Sequence, residues 1–149
     1  MPAKAFSIRL VRWEKASAAL KAVREEVFVR EQGVPLELEW DELDPACVHA
    51  LVLSLDGEPI ATARLTPDGH IGRMAVRSAW RGKGVGKALM ETMMRAARKR
   101  GLDHVVLNAQ THARGFYARF GFHVEGSEFL DAGIPHLRMA ARLVPRSGS

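Results

Sequence analysis

A glycine-rich turn in the second half of the chain joins a strand-like stretch to a helix-like one. The strand-like stretch ends at Val76, and the turn reads Arg81-Gly82-Lys83-Gly84-Val85-Gly86. Over residues 87–100 apolar side chains recur at helical spacing, and Gly101 follows where a helix would end. A strand, a glycine turn and a helix in this order are typical of domains that pack helices onto a sheet.

The turn has the composition of an anion-binding site. Its closely spaced glycines remove the Cβ atoms that would keep a phosphate group away from the backbone. The following helix adds free N–H groups and the positive end of its dipole. Arg81, Lys83 and Lys87 add positive charge. We therefore predict that the turn binds a diphosphate.

Two familiar phosphate-binding loops do not fit this turn. A nucleotide-hydrolysing P-loop needs Ser or Thr directly after its lysine, whereas Ala88 follows Lys87 and the glycine spacing is one residue short. A dinucleotide-binding loop needs a glycine at position 87 and an early strand-helix-strand unit. Here the turn signals Asp56-Gly57 and Pro67-Asp68-Gly69 predict antiparallel strands ahead of the glycine turn.

Hydrophobic periodicity predicts the remaining elements. Ser17 is predicted to cap a first helix that ends near Gln32-Gly33, and residues 113–120 form a short last helix. Strands are predicted over residues 6–13, 48–55, 58–66, 70–76 and 105–107, around Val124, and over 136–143. This order predicts an α+β class with a mixed central sheet.

Length and composition indicate one folded unit. The 149 residues are 47% apolar, which predicts a single domain over residues 1–143 followed by a flexible tail over 144–149. The sequence has neither a long apolar run nor an apolar leader, which predicts a soluble, cytoplasmic protein without membrane partners. Cys47 is the lone cysteine, so we predict no disulfide and no metal.

Charge is distributed unevenly along the chain. The net charge is +5, and residues 73–100 are rich in Lys and Arg with Glu91 as their single acid. Residues 37–44, in contrast, carry several carboxylates and no cation. One basic and one acidic region are typical of an enzyme with an anionic and a cationic substrate, and they argue against nucleic acid as the partner.

Two segments flank the glycine turn with patterns of their own. Met74-Ala75-Val76 precedes it, and Ala113-Arg114-Gly115-Phe116-Tyr117-Ala118-Arg119-Phe120-Gly121-Phe122 follows. The first segment resembles the fourth strand of the GNAT superfamily of N-acetyltransferases. The pattern Arg-x-x-Gly-x-Gly in the turn resembles the acyl-CoA diphosphate loop of that superfamily, and the second segment resembles its Ala-x-x-Phe-Tyr-x-x-x-Gly-Phe segment. Residues 27–35 and Gly133-Ile134-Pro135-His136 further resemble the small bacterial ElaA-like branch.

This resemblance covers most of the chain and implies both a fold and an activity. The implied fold is a GNAT-like mixed, mostly antiparallel sheet of six to seven strands flanked by helices on both faces. The implied reaction transfers an acetyl or short acyl group from acyl-CoA to an amine by direct attack in a ternary complex. Acetyl-CoA is then the co-substrate, no metal takes part, and a homodimer is an implied assembly.

The resemblance also implies roles for individual residues. Tyr117 would protonate the departing CoA thiolate, and a backbone N–H near Ala75 or Val76 would stabilise the oxyanion. Gln110 stands where many relatives have Asn, and the core is an alternative location for Phe116. The implied contacts to the cofactor come from Met74, Ala75, Val76, Arg81, Gly82, Lys83, Gly84, Val85, Gly86, Lys87, Gln110 and Phe116.

The general base is left open by the sequence. His70 matches a position where some relatives have a Glu that deprotonates the amine through water, and an imidazole titrates in a suitable range. The predicted acceptor-binding residues are Glu31, Glu42, Asp44 and His136. The three carboxylates of this set, together with His112 and His136, are alternative bases. The acidic region indicates a small-molecule or peptide amine as the acceptor.

Three other functions stay open at this point. Arg24, Phe28, Trp40 and Asp44 resemble the N-terminal half of acyl-homoserine-lactone synthases, which use an acyl carrier and S-adenosylmethionine. A relative that had lost catalysis would bind CoA as a sensor. A basic nucleic-acid-binding module would use the helix over residues 87–100, although no pattern of stacking aromatic residues accompanies it.

Overall fold

The computed structural model describes residues 6–34 and 43–143. In chain order these form β1 (Phe6–Val11), α1 (Trp13–Arg24), β2 (Val48–Ser54), β3 (Pro59–Leu65), β4 (Ile71–Val76), α2 (Val85–Lys99), β5 (His104–Gln110), α3 (Arg114–Ala118), β6 (His123–Asp131) and β7 (Ile134–Arg142). A π-helical segment, Glu25–Glu31, continues α1. Glu42, Trp40, most of the acidic segment 37–44 and the tail 144–149 lie outside the described residues.

The strands form two antiparallel sheets that meet at one end. The first has the order β1-β2-β3-β4 and the second the order β5-β7-β6. They are joined by a parallel bridge between His70 and Val106, where the Val106 N–H donates to the Gly69 carbonyl at 3.0 Å. Beyond this bridge, β4 and β5 run in the same direction but do not pair with each other in the described part of the chain. The predicted α+β class and its mostly antiparallel strands are confirmed.

Helices cover both faces of the first sheet, as predicted. Ala61 and Ala63 of β3 belong to the large core cluster that includes the buried side of α2. Arg64 lies on the other side of the strand, because successive side chains alternate, and it shares Asp44 with Arg24 of α1. The two helices therefore pack on opposite faces of the sheet.

The buried side of α2 supplies much of the apolar core. Leu89, Met90 and Met93 are fully buried against β-sheet residues such as Ile60 and Leu65. Burying one such side chain contributes about 1.5–3 kcal/mol. This packing holds α2, and with it the glycine turn at its beginning, firmly on the sheet. None of the helices in residues 6–34 and 43–143 combines the length and the apolar composition needed to cross a bilayer.

The first helix begins earlier than predicted. It starts at Trp13, so the prediction that Ser17 caps it was wrong, and the Arg12 carbonyl accepts the first N–H groups at 3.1 Å. The Trp13 ring lies 5.3 Å from the His49 ring and 5.4 Å from the Arg24 guanidinium. Because these contacts bring together distant parts of the chain, capping propensity alone could not locate the helix start.

Candidate active site

A cavity of about 450 Å³ is lined by residues of β4 and β5 where these strands are not paired. It brings together five residues predicted from the sequence, which come from β4 and the residue before it, β5, α3 and β7. These are His70, Met74, Gln110, Tyr117 and His136. The cavity is also lined by polar residues to which the sequence analysis gave no role in the site, namely Gln32, Arg73, Asn108 and Asp131.

Strand register sets the level of each side chain along the cavity. His70 is paired with Val106 at the closed end, and Gln110 lies four residues further along β5. Gln110 pairs with His136 on β7. At about 3.3 Å per residue, these two side chains lie about 13 Å along the strands from His70.

A β-bulge in β4 shapes the other wall of the cavity. The pairing of β3 with β4 shifts by one residue around Arg73, which has a positive φ of 50°, and the Thr62 hydroxyl donates to the Arg73 carbonyl at 3.2 Å. After allowance for this extra residue, Met74 and Ala75 come level with Gln110. The bulge costs about 1–3 kcal/mol of backbone strain, which the surrounding sheet offsets.

The backbone N–H groups of β4 alternate between pointing toward β3 and pointing away from it. The Arg77 N–H donates to the Ile60 carbonyl on β3 at 3.0 Å. Because N–H groups alternate along a strand, those of Met74 and Val76 face away from β3, whereas that of Ala75 faces it. Of the two N–H groups that the family resemblance implies as oxyanion donors, that of Val76 is the one not directed at β3, and the role itself stays a prediction.

Tyr117 contacts the β4 wall from α3. Its hydroxyl lies 3.9 Å from the Met74 sulfur, and its ring meets the Phe116 ring edge-on at 5.0 Å. Burial raises the pKa of the Tyr117 phenol above its ordinary value of 10.0. The phenol is therefore protonated at neutral pH and can donate a proton inside the cavity.

The glycine turn forms an open cradle at the start of α2. Gly82 and Gly84 have φ angles of 75° and 84°, and a Cβ added to either would meet no atom within 4 Å. Gly84 caps α2, which begins at Val85, two residues earlier than predicted, and the side chains of Lys83 and Lys87 are exposed. An exposed backbone cradle with nearby cations at a helix N-terminus fits a diphosphate.

Gly86 has a different role from the other two glycines. A Cβ at this position would lie 3.3 Å from the Phe116 ring, so Gly86 allows α3 to pack closely against α2. Phe116 also contacts the Phe120 ring at 5.3 Å and packs against the large core cluster. These contacts show that Phe116 packs between α2, α3 and the core.

Two predicted acceptor-binding carboxylates are instead bound by arginines. Glu31 holds Arg81 at the glycine turn and does not line the cavity. Asp44 is fully buried and accepts hydrogen bonds from Arg24 at 3.0 Å and Arg64 at 2.9 Å. Neither carboxylate lines the cavity, and both are engaged by arginines, so their predicted role in binding the amine gains no support here and stays a prediction. Glu42, the third carboxylate, lies outside the described residues.

Gln110 is held at both ends of its amide. Its nitrogen donates to the Gln32 side-chain oxygen at 2.8 Å, and its oxygen accepts from the His112 Nε2 at 2.8 Å. Gln32, at the end of the π-helical segment, was missed because its proximity to Gln110 depends on how α1 packs on the sheet. These bonds fix Gln110 as part of the cavity wall.

The two histidines of the cavity differ in their surroundings. Burial, with a smaller contribution from Arg138, lowers the pKa of His70, so its imidazole is neutral at pH 7. The Nδ1 of His136 lies 2.7 Å from the Ile134 carbonyl, and its ring stacks on the Phe129 ring. Within residues 6–34 and 43–143, no three His, Cys, Asp or Glu side chains are grouped as metal ligands would be.

Comparison with known proteins agrees with this geometry. Residues 17–143 match the acetyltransferase (GNAT) domain family. The "Uncharacterized N-acetyltransferase YjcF" of Bacillus subtilis is 46% identical over 122 residues, which are 78% of this chain and 86% of that protein. "Protein ElaA" of Escherichia coli is 34% identical over 134 residues, which are 85% of this chain and 87% of that protein.

Solved structures share the same architecture. The crystal structure of Escherichia coli ElaA matches with a TM-score of 0.82 and 30% identity, covering 91% of this chain and 99% of that one. An acyl-CoA N-acyltransferase from Pseudomonas aeruginosa matches with a TM-score of 0.83 and 34% identity, at 91% and 99% coverage. With its glycine turn and its cavity between unpaired strands, the chain belongs to the GNAT acetyltransferase family, in the ElaA-like branch.

Proposed function

We propose that this protein transfers an acetyl or short acyl group from acyl-CoA to a small-molecule or peptide amine, with acetyl-CoA as the co-substrate. The observation that carries the proposal is the contact between Tyr117 and Met74, because it sets a protonated phenol at the wall of the cavity. The neighbouring Phe116 packs against Gly86 of the glycine turn, which brings the turn close to this phenol. Direct attack of the amine in a ternary complex needs such a cavity, with both substrates present at once.

Each part of the site then has a chemical task. The backbone of Gly82 and Gly84, with Lys83 and Lys87, would hold the diphosphate of CoA. The unpaired backbone of β4 would bind the extended arm of CoA, and the N–H of Val76 would stabilise the oxyanion. Tyr117 would protonate the departing sulfur, for which its raised pKa keeps a proton available.

The alternatives have less support. Arg24 and Asp44, which resemble acyl-homoserine-lactone synthases, form a buried ion pair and therefore have a structural role here. On the helix 87–100, Lys87 lies beside the glycine turn, which is consistent with a diphosphate site in preference to nucleic acid. A single domain over residues 1–143, a homodimer and a cytoplasmic location stay predictions.

Two measurements in sequence test the proposal. Thermal unfolding with acetyl-CoA should show stabilisation that increases with ligand concentration. Thiol release should then be followed with acetyl-CoA and a panel of primary amines, polyamines and peptides. Binding without thiol release for any amine would favour a CoA sensor, and lactone formation from S-adenosylmethionine and an acyl carrier would favour a synthase. No stabilisation by acetyl-CoA would contradict the assignment of the turn.

A further inference from the structure

The reaction proposed above needs a group that takes a proton from the amine. We propose that His136 is this general base and that it acts through Nε2. The proposal rests on the proposed function, and it differs from the role in acceptor binding that the sequence predicted for His136. The proposal is argued from the hydrogen bond of the His136 imidazole, the level of His136 in the cavity and the groups that line the cavity with it.

The hydrogen bond at Nδ1 determines which nitrogen of His136 carries the lone pair. Nδ1 lies 2.7 Å from the carbonyl oxygen of Ile134. A carbonyl only accepts, so Nδ1 must carry the proton and donate it. In the neutral ring, Nε2 is then the unprotonated nitrogen and is able to accept a proton. Stacking on Phe129, with centroids 5.9 Å apart, keeps the ring in this orientation.

The level of His136 in the cavity matches the position of the reaction. Its cross-strand partner Gln110 comes level with Met74, and Met74 contacts the Tyr117 hydroxyl. An acid and a base that act on the same carbonyl must both lie near it. His70 is paired at the closed end of the strands, about 13 Å back along them at the usual rise per residue. The geometry therefore selects His136 over His70.

Several charged and titratable groups line the same cavity as the His136 imidazole. Tyr117 lines the cavity from α3, Asp131 from the end of β6, and Arg73 and His70 from β4 and the residue before it. Arg138 lies two residues further along β7, on the same side of the strand as His136.

The proposed proton transfers balance. As the amine nitrogen bonds to the thioester carbonyl carbon, Nε2 of His136 takes one proton from that nitrogen. The carbon–sulfur bond breaks, its electron pair goes to sulfur, and Tyr117 gives sulfur a proton. The proton on His136 leaves to solvent, and the Tyr117 phenolate regains one from solvent. The products are the amide and the free thiol.

The decisive variant is His136→Asn. The asparagine side-chain nitrogen can donate to the Ile134 carbonyl much as Nδ1 does, whereas no atom replaces Nε2. We expect kcat to fall about 100-fold or more, with the affinity for acetyl-CoA and the midpoint of thermal unfolding nearly unchanged. The loss of rate on acidification in the unmodified protein should disappear in the variant.

Matched variants complete the test. His104→Asn makes the same change at an exposed residue outside the cavity and should leave kcat unchanged. His70→Asn should retain the acid limb of the pH profile. If His70→Asn removes that limb while His136→Asn retains it, His70 is the base and the proposal is overturned.

A second readout needs no acceptor. In ¹⁵N spectra of histidine-labelled protein at pH 8, the resonances that disappear in His136→Asn should be those of a neutral ring with a proton on Nδ1. A ring protonated on Nε2 would overturn the proposal, even if acetyl-CoA is bound and turned over. Failure of acetyl-CoA to bind, with the expected tautomer present, would instead contradict the proposed function.

Discussion

Glu31 holds Arg81 with both carboxylate oxygens, at 2.5 and 2.6 Å, across fifty residues of sequence. The pair joins the π-helical segment to the glycine turn. Hydrogen bonding to Arg81 lowers the pKa of Glu31, and the same contact raises the pKa of Arg81. Because both side chains are partly exposed, the ion pair contributes little to stability, and its main effect is on the charge beside the turn.

Glu31→Gln should strengthen CoA binding, because it removes a negative charge from the vicinity of the proposed diphosphate site. We expect the Kd measured by calorimetry to fall about two- to tenfold in dilute buffer, and less at 1 M salt, where charges are screened within about 3 Å. Glu14→Gln, on the exposed side of α1, is the control. Weaker binding by Glu31→Gln would show that Glu31 positions Arg81 for the ligand.

Gly84→Glu should abolish CoA binding. The new side chain would occupy the open cradle and carry the same sign of charge as a diphosphate. We expect the Kd to rise about 100-fold or more, which corresponds to nearly 3 kcal/mol. Gly101→Glu is the matched control, because Gly101 also has a positive φ and open space but lies at the other end of α2. Equal binding by the two variants would contradict the assignment of the turn.

Tyr117→Phe should slow turnover while leaving acetyl-CoA binding intact. Loss of a general acid is expected to lower kcat by about 10²- to 10⁴-fold. The rate of thiol release at saturating acetyl-CoA measures this change in kcat. Phe120→Leu, a packing change in the same segment, serves as the comparison. Full activity of Tyr117→Phe would exclude the phenol from the mechanism.

Titration of the phenol offers an independent check on Tyr117. It is the one tyrosine of the chain, so the change in ultraviolet absorbance at high pH reports this residue alone. Burial raises its pKa, and the midpoint should therefore lie above the ordinary value of 10.0 for as long as the protein is folded. A midpoint at or below that value would mean that the ring is exposed to solvent.

Asp44→Asn should strongly destabilise the fold. It removes the buried carboxylate that both Arg24 and Arg64 contact. Removing one member of a buried ion cluster costs about 3–5 kcal/mol, because the other charges stay buried. Urea unfolding measures the loss. Glu58→Gln, which breaks an exposed pair with Arg77, should cost no more than about 1 kcal/mol. Similar losses in both variants would contradict this reading of the cluster.

Stability should fall below pH 6.5 because of His49. Burial lowers the pKa of His49 below its ordinary value of 6.5, so the unfolded chain takes up a proton at a higher pH than the folded one does. The unfolded state then binds more protons, and the free energy of unfolding decreases as the pH falls below 6.5. His70 acts in the same direction. In His49→Gln, the free energy of unfolding measured with urea should decrease less between pH 7.5 and 5.5 than in the unmodified protein. An equal decrease in the two proteins would contradict this role of His49.

Local sequence patterns predicted most elements for identifiable reasons. The turn at Asp56-Gly57 and the strand-like runs on either side of it located the hairpin of β2 and β3, because these signals act within a few residues. The helical spacing of apolar residues located α2, although Gly84, not Lys87, stands at its start. Ser17 misled the prediction because the tertiary contacts of Trp13 outweigh a local capping preference.

The sequence by itself determined the glycine turn, the α+β order of elements and the likeness to a family, since each depends on neighbouring residues. Only the tertiary structure decided that Asp44 is buried between arginines, that Glu31 binds Arg81, and that His136 shares a cavity with Tyr117. These relationships depend on strand register and helix packing, which bring together side chains far apart in the chain. A pattern of residue types carries no information on such distances.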